Sequence, residues 1–236
     1  MQDIYIFPSC SARLLNSKDS MIERIISLLT KLNFNVKILQ KNNFCCGLMY
    51  TNMGYPDIGN SKFNQLIENF AGKFILIENM SCFNEIKKLN NNRLNITNPI
   101  DLIYAHLNKL NIRQQQESAV LHINCSVTLQ QMQHKVIEIA QMCLNNVIIP
   151  YQLLCCGFAG SKGFTNADLN KNAVKNLNEQ IPSDCKKGYT CLETCALGFN
   201  QHTKIHFTSL FHLLDTCAEK NCSLTLKSIY GKSQNK

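Results

Sequence analysis

Cys45-Cys46-Gly47-Leu48 recurs 110 residues later as Cys155-Cys156-Gly157-Phe158, and each triplet has one cysteine upstream and one downstream at closely matching distances. In the first copy 34 residues separate Cys10 from Cys45 and 34 separate Gly47 from Cys82; in the second the gaps are 29, from Cys125 to Cys155, and 37, from Gly157 to Cys195. Equivalent cysteines are offset by 115, 110, 110 and 113 residues, which chance placement would rarely produce. The pattern reads as a duplicated metal site with four thiols per half: Cys10, Cys45, Cys46 and Cys82, then Cys125, Cys155, Cys156 and Cys195. Thiolate is a soft ligand, and four of them suit an iron–sulfur cluster or a zinc ion alike. Neighbouring side chains on an extended backbone point to opposite faces, so two adjacent cysteines reach one centre only where the chain turns sharply. Gly47 and Gly157 permit that turn. Buried free thiols or vicinal disulfides are the plainer readings, and neither predicts a duplicated spacing.

The other five cysteines, Cys143, Cys185, Cys191, Cys217 and Cys222, have no counterpart in the opposite half. Cys143 and Cys217 fall on the apolar faces of expected helices, where a thiol packs as a small hydrophobe. Cys191, four residues before Cys195, is a candidate substitute ligand. Thirteen cysteines would suggest disulfides in a secreted chain. Met1-Gln2-Asp3 instead runs straight into the strand-like Ile4-Tyr5-Ile6-Phe7 with no leader pattern, so a reducing cytoplasm is expected. No run approaches the roughly 18 apolar residues of a membrane span. The 236 residues carry a net charge of +8, spread over scattered lysines and only four arginines. No basic stripe interleaves with aromatics, so nucleic-acid binding is not expected. A mildly basic face would suit an acidic partner protein or anionic lipid head groups.

Strand and helix signals alternate. Residues 4–7 read as a strand ending at Pro8-Ser9-Cys10, and Ser20-Met21-Ile22-Glu23 has the form of a capping box opening an amphipathic helix. Residues 36–39 form the next strand, ahead of the Cys-Cys-Gly turn; a helix near 62–70 then leads to the strand 74–77, which runs toward Cys82. The second half repeats the order: a strand at 120–123 before Cys125, a long helix at about 129–144, a strand at 147–149, Leu153-Leu154 into Cys155, a helix at about 167–180, Tyr189 before the Cys195 turn, and a helix at about 209–218. The ligands thus cluster beyond strand ends, where open parallel α/β sheets build their sites. The expected architecture is α/β, with two similar Rossmann-like half-domains related by a pseudo-two-fold axis. They span residues 1–111 and 118–226, joined by the polar stretch around Gln114-Gln115-Gln116; the tail 227–236 lacks apolar periodicity and is expected to fray. Gly157-Phe158-Ala159-Gly160-Ser161-Lys162-Gly163 lacks the endings of a phosphate-binding loop and reads as chain wrapping the metal site. Among six histidines His122, three residues before Cys125, is the one placed to assist a site.

These residues resemble the cysteine-rich CCG domain of the heterodisulfide reductase B subunit, the glycolate oxidase iron-sulfur subunit and the lactate-utilisation iron-sulfur proteins. Phe7-Pro8-Ser9-Cys10, Cys45-Cys46-Gly47-Leu48, the block 155–164 and Thr194-Cys195-Ala196-Leu197-Gly198 are closest to the C-terminal portion of FAD-linked D-lactate and D-2-hydroxyacid dehydrogenases. One departure is that the first cysteine of the family's closing Cys-x-x-Cys is Asn79 in one half and Leu192 in the other, leaving four thiols per site. The flavin domain and the ferredoxin-like module that often accompany the family are also not in this chain, which is expected to be a separate subunit or a fragment. The resemblance implies an iron–sulfur module, of 4Fe-4S type, relaying electrons from an FAD-containing dehydrogenase partner to an acceptor that includes membrane carriers among its candidates. A subunit of an L-lactate or glycolate oxidation complex is the alternative within that class. A zinc-binding structural module without redox activity is the alternative outside it. No residue here is expected to oxidise a 2-hydroxyacid by itself.

Overall fold

The computed structural model describes residues 2–14, 20–39, 44–151, 153, 155–160 and 162–219. The expected strand lead-in Leu154, Ser161, Cys222 and the tail 227–236 lie outside these residues. The first half runs β1 (Gln2–Phe7), α1 (Cys10–Leu14), α2 (Met21–Lys31), β2 (Phe34–Ile38), α3 (Leu48–Asn52), α4 (Pro56–Phe70), β3 (Phe74–Ile77), α5 (Met80–Asn90), β4 (Asn95–Thr97) and α6 (Pro99–Tyr104). The second runs β5 (Gln115–His122), α7 (Cys125–Leu129), α8 (Gln133–Cys143), β6 (Leu144–Ile148), α9 (Lys162–Thr165), α10 (Ala167–Val174), β7 (Lys187–Thr190), α11 (Glu193–His202), β8 (His206–Ser209) and α12 (Leu210–Cys217). Each half is a four-stranded sheet with the same order, β2-β1-β3-β4 and β6-β5-β7-β8, and every pairing is parallel. Helical crossovers between successive strands make parallel pairing the accessible geometry.

Five elements differ from the periodicity. β4 and β8 were not anticipated: Asn95-Ile96-Thr97 and His206-Phe207-Thr208-Ser209 carry too few apolar residues to register alone, and they form by pairing with β3 and β7. β5 begins at Gln115, inside the polar stretch expected to link the halves, with a register irregularity between Gln115 and Ser118. The long helix expected at about 129–144 is α8, Gln133–Cys143: α7 ends at Leu129, and Gln131, with a left-handed φ of 57°, separates the two helices. The helix from Ala167 stops at Val174, and a 3-10 turn, Leu177–Gln180, finishes the run.

The halves join reciprocally. α2 packs on α12 and α6 on α8, while α5 meets α7 and α1 meets α11. Exchanging the halves turns each of these pairs into the other of its kind, as a pseudo-two-fold requires. Ile25, Leu28 and Leu29 of α2, Val136 and Ile139 of α8 and Leu213 and Leu214 of α12 are buried in one continuous core, each contributing about 1.5–3 kcal/mol on burial. The seam is pinned by Asp215, whose carboxylate accepts from Arg24 at 2.9 Å, Ser27 at 2.7 Å and Lys31 at 2.7 Å. Ser20 sits at the N-cap of α2 but makes no capping hydrogen bond; the Met21 amide instead donates to Glu193 Oε1 from the other half at 2.8 Å. A tertiary acceptor has replaced the local capping box. Among the described residues no helix is long and apolar enough to cross a membrane.

Burial pushes the Asp215 carboxyl up, but hydrogen bonds from Lys31, Ser27 and Arg24 outweigh it and hold the group below the usual carboxylate range. A depressed carboxylate contributes stability above its unfolded pKa and loses it as pH falls through the folded value. Asp215→Ala should cost about 3–5 kcal/mol, since it removes the carboxylate that Lys31, Ser27 and Arg24 share at a largely buried seam. In urea titrations the wild type should weaken as pH drops below about 4, and the variant should lose that part of the acid dependence.

Candidate metal centres

Each half brings its four thiols to the carboxyl edge of its sheet. Cys10 is the first residue of α1 and Cys125 the first of α7; Cys82 and Cys195 are the third residues of α5 and α11. Asn79 caps α5, accepting from the Ser81 amide at 2.9 Å, and Asn124 caps α7 by accepting from Val127 at 3.0 Å. Between these helices lie the cysteine pairs. Gly47 and Gly157 follow them with left-handed φ of 88° and 72°. A Cβ at either would stand 2.5 Å from a backbone carbonyl oxygen, that of Gly59 or Leu169. In both halves the glycine amide turns back to donate to the sulfur two residues earlier, Gly47 to Cys45 at 3.4 Å and Gly157 to Cys155 at 3.3 Å.

The second cysteine of each pair points inward. Cys46 Sγ lies 3.2 Å from Cys82 Sγ, and Cys156 Sγ lies 2.9 Å from Cys195 Sγ. The outer thiols join through Cys45, which contacts both Cys10 and Cys46, and through the Cys125–Cys155 contact. The proton equilibria show the same crowding. Cys10 is pushed up by its hydrogen bond with Cys45 and by burial, against the pull of Arg13. The hydrogen bond to Cys45 pulls Cys46 down, but Cys82 and burial leave it well above a free thiol. In the second half Cys195 is driven up by Cys156 and by burial, while Cys156 is held down by the bond it shares with Cys195.

In each half the thiols touch one after another, Cys10–Cys45–Cys46–Cys82 and Cys125–Cys155–Cys156–Cys195, and among the described residues no three Cys, His, Asp or Glu side chains converge as a metal cage. Sulfurs around a tetrahedral zinc stand about 3.8 Å apart for Zn–S bonds of 2.3 Å, somewhat wider than the inner pairs. The donor chemistry fits a soft metal or an iron–sulfur cluster. Cys191 does not join: it is buried, and burial alone pushes it up to about 12, with no thiol among the causes. Cys143 and Cys217 contact one another across the α8–α12 packing, and Cys185 donates to the Ser118 and Lys187 carbonyls at 3.6 Å. His122 is a core residue, bonded to Thr190 Oγ1 at 3.0 Å, edge-on to Phe199 and pushed down to about 3 by burial. Gly163 leaves room for the Phe158 ring, 2.5 Å from where its Cβ would stand, which suits a wrapping loop.

Two contributors escaped the sequence pattern. Arg13 donates to Cys10 Sγ at 3.4 Å and to the Phe44 carbonyl at 2.8 Å, tying α1 to the residue before Cys45. Glu78, buried at the end of β3, accepts from the Ser9 amide at 2.9 Å and is pushed up to about 7 by burial. A groove of about 770 Å³ between α5 and α7 has Cys125 in its lining, with Leu48, Leu129, Lys87 and Lys88 around it.

The fold and these clusters define a duplicated α/β protein with a thiol quartet in each half. Residues 4–87 match the family model of the CCG cysteine-rich domain. That match points to metal or iron–sulfur binding. No curated protein matches the chain. Two solved structures align over most of their length: an aspartate racemase homologue from Pyrococcus horikoshii, 13% identical over 91% of this chain and 96% of its own with a TM-score of 0.33, and a candidate Asp/Glu racemase from Yersinia pestis, 10% identical over 92% and 96% with a TM-score of 0.37. At those scores neither bears on fold or function.

Replacing Cys46 or Cys156 by serine puts a hard, weakly acidic hydroxyl where a thiolate is needed. Each variant should lose about one site's metal per chain. Cys143→Ser and Cys217→Ser should keep the full complement and lose only roughly 1–2 kcal/mol of stability. Equal metal loss in all four would mean the ligands are misassigned. Gly47→Ala and Gly157→Ala should each destabilise by more than about 1 kcal/mol, readable as a lowered urea midpoint.

Proposed function

We propose that the chain is the iron–sulfur electron-transfer module of an FAD-linked D-lactate or D-2-hydroxyacid dehydrogenase, with Cys10, Cys45, Cys46 and Cys82 holding one centre and Cys125, Cys155, Cys156 and Cys195 the other. The observation that carries this reading is the twice-built quartet of thiols, each at the carboxyl edge of its sheet with one glycine-turned pair. A cluster bound there supplies one-electron exchange. The chain's own part is to hold it and set its surroundings. The Gly47 and Gly157 amides aim at the sulfurs of Cys45 and Cys155, and hydrogen bonds to ligand sulfur favour the more negative state. Buried Phe44 and Phe158 shield the inner cysteines from water. Hydride removal from the substrate falls to a flavoprotein partner, and an acceptor beyond this chain, membrane carriers included, completes the route. The close inner thiol pairs favour, as a second reading, a mononuclear zinc in each half and a structural role, because zinc exchanges no electrons.

Anaerobic purification followed by iron, sulfide and zinc counts and a visible spectrum separates the two. Iron and sulfide with broad visible absorption are expected; a colourless chain with two zinc ions would replace electron transfer by the structural reading. Flavin should not copurify in stoichiometric amount, and the chain alone should not oxidise D-lactate.

A further inference from the structure

The two quartets are not equally enclosed. In the first, Cys10 and Cys45 are half-buried over a buried Cys46–Cys82 pair; in the second, Cys125 and Cys155 are exposed over an equally buried Cys156–Cys195 pair. Arg13 bridges the Cys10 sulfur and the carbonyl preceding Cys45, so that α1 and the Cys-Cys-Gly loop move as one. Phe44 is itself anchored edge-on against Phe70 of α4, with ring centroids 4.7 Å apart. At the matching offset of 115 the second half has Thr128, whose hydroxyl donates back to Asn124 O at 3.4 Å within its own helix. That bond stays within α7. Cys125 also lines the 770 Å³ groove between α5 and α7, a volume that admits a small molecule beside its sulfur.

We propose that the first quartet is a retained metal site and the second an exchangeable one, in which a ligand arriving from solvent displaces Cys125 first. This rests on the reading that both quartets bind metal. For an incoming thiol the step balances as ligand substitution: its sulfur forms a bond to the metal as the Cys125–metal bond breaks, and its proton passes to the released Cys125 thiolate. No electron is transferred. Arg13 acts as a positioning residue, holding Cys10 and the Cys45 loop together so that thiols of the first site leave the metal only in concert.

The test uses the full chain as purified, challenged anaerobically with excess EDTA while the metal remaining on the protein is counted over time. Two phases of equal amplitude are expected, differing in rate by about tenfold or more, as outer contacts to ligands commonly command. Cys156→Ser should leave only the slow phase and Cys46→Ser only the fast one. Arg13→Gln, which removes no thiol, should accelerate the slow phase by about tenfold and leave the fast phase unchanged. Should either serine variant fail to fold, the Arg13→Gln result decides. Loss of all metal at one rate, a slow phase that survives in Cys46→Ser, or an unchanged slow phase in Arg13→Gln would overturn the inequality while leaving metal binding intact. A chain that neither carries metal as purified nor takes up zinc under reducing conditions would overturn both.

Discussion

Two consecutive side chains on extended backbone diverge, so a vicinal cysteine pair can serve one centre only if the chain reverses immediately after it. Gly47 and Gly157 perform that reversal with left-handed φ, in positions where any Cβ would strike a carbonyl oxygen of the following helix. The same turn aims the glycine amide at one sulfur and sends the other inward to the cysteine on α5 or α11. Parallel sheet order, crossover helices and helix N-termini then bring the remaining two thiols of each half to the same edge. Without the glycine turn the other three elements would present their thiols to an incomplete set.

The seam between the halves lies on the same edge as the thiols. Cys10 and Cys195 sit on helices that pack together, α1 and α11, and Cys82 and Cys125 sit on the other such pair, α5 and α7. Residues next to the ligands make the bridging bonds: Ser81 and Ser126 share a hydrogen bond at 3.0 Å, and Asn84 donates to Ser126 O at 3.1 Å. Farther from the sites, Asp215 and its three donors lock α12 to α2. A shift along this seam would alter the approach of Cys82 and Cys125 together, so the position of each quartet depends partly on the opposite half.

The repeat of Cys-Cys-Gly was legible because glycine and cysteine act at single positions and leave fixed offsets. The central strands were legible because buried parallel strands are apolar runs, as in Phe74-Ile75-Leu76-Ile77. What escaped was whatever depends on a distant partner. β4 and β8 exist through pairing with β3 and β7, and the cap of α2 comes from Glu193, 172 residues away. The break at Gln131 carries no glycine or proline to announce it. Cys191 looked available by spacing, yet its place after β7 turns it into the core rather than toward Cys195's neighbours. Arg13 had a faint signal, one of four arginines and three residues after Cys10, but its second partner, the Phe44 carbonyl, is visible only in the folded chain.

The inner thiols are buried: Cys46, Cys82, Cys156 and Cys195 are each less than 10% exposed. Crowding and burial hold Cys46 and Cys195 far above a free thiol, so these act as small hydrophobes in the metal-free chain. The aliphatic core across α2, α8 and α12 is complete without them. A soft metal bound at these thiols would have to expel their protons, so its hold would weaken as pH falls. On the proposal above, the inner pairs would set how pH affects affinity, and the outer thiols, half-buried in one half and exposed in the other, would set how fast a metal exchanges.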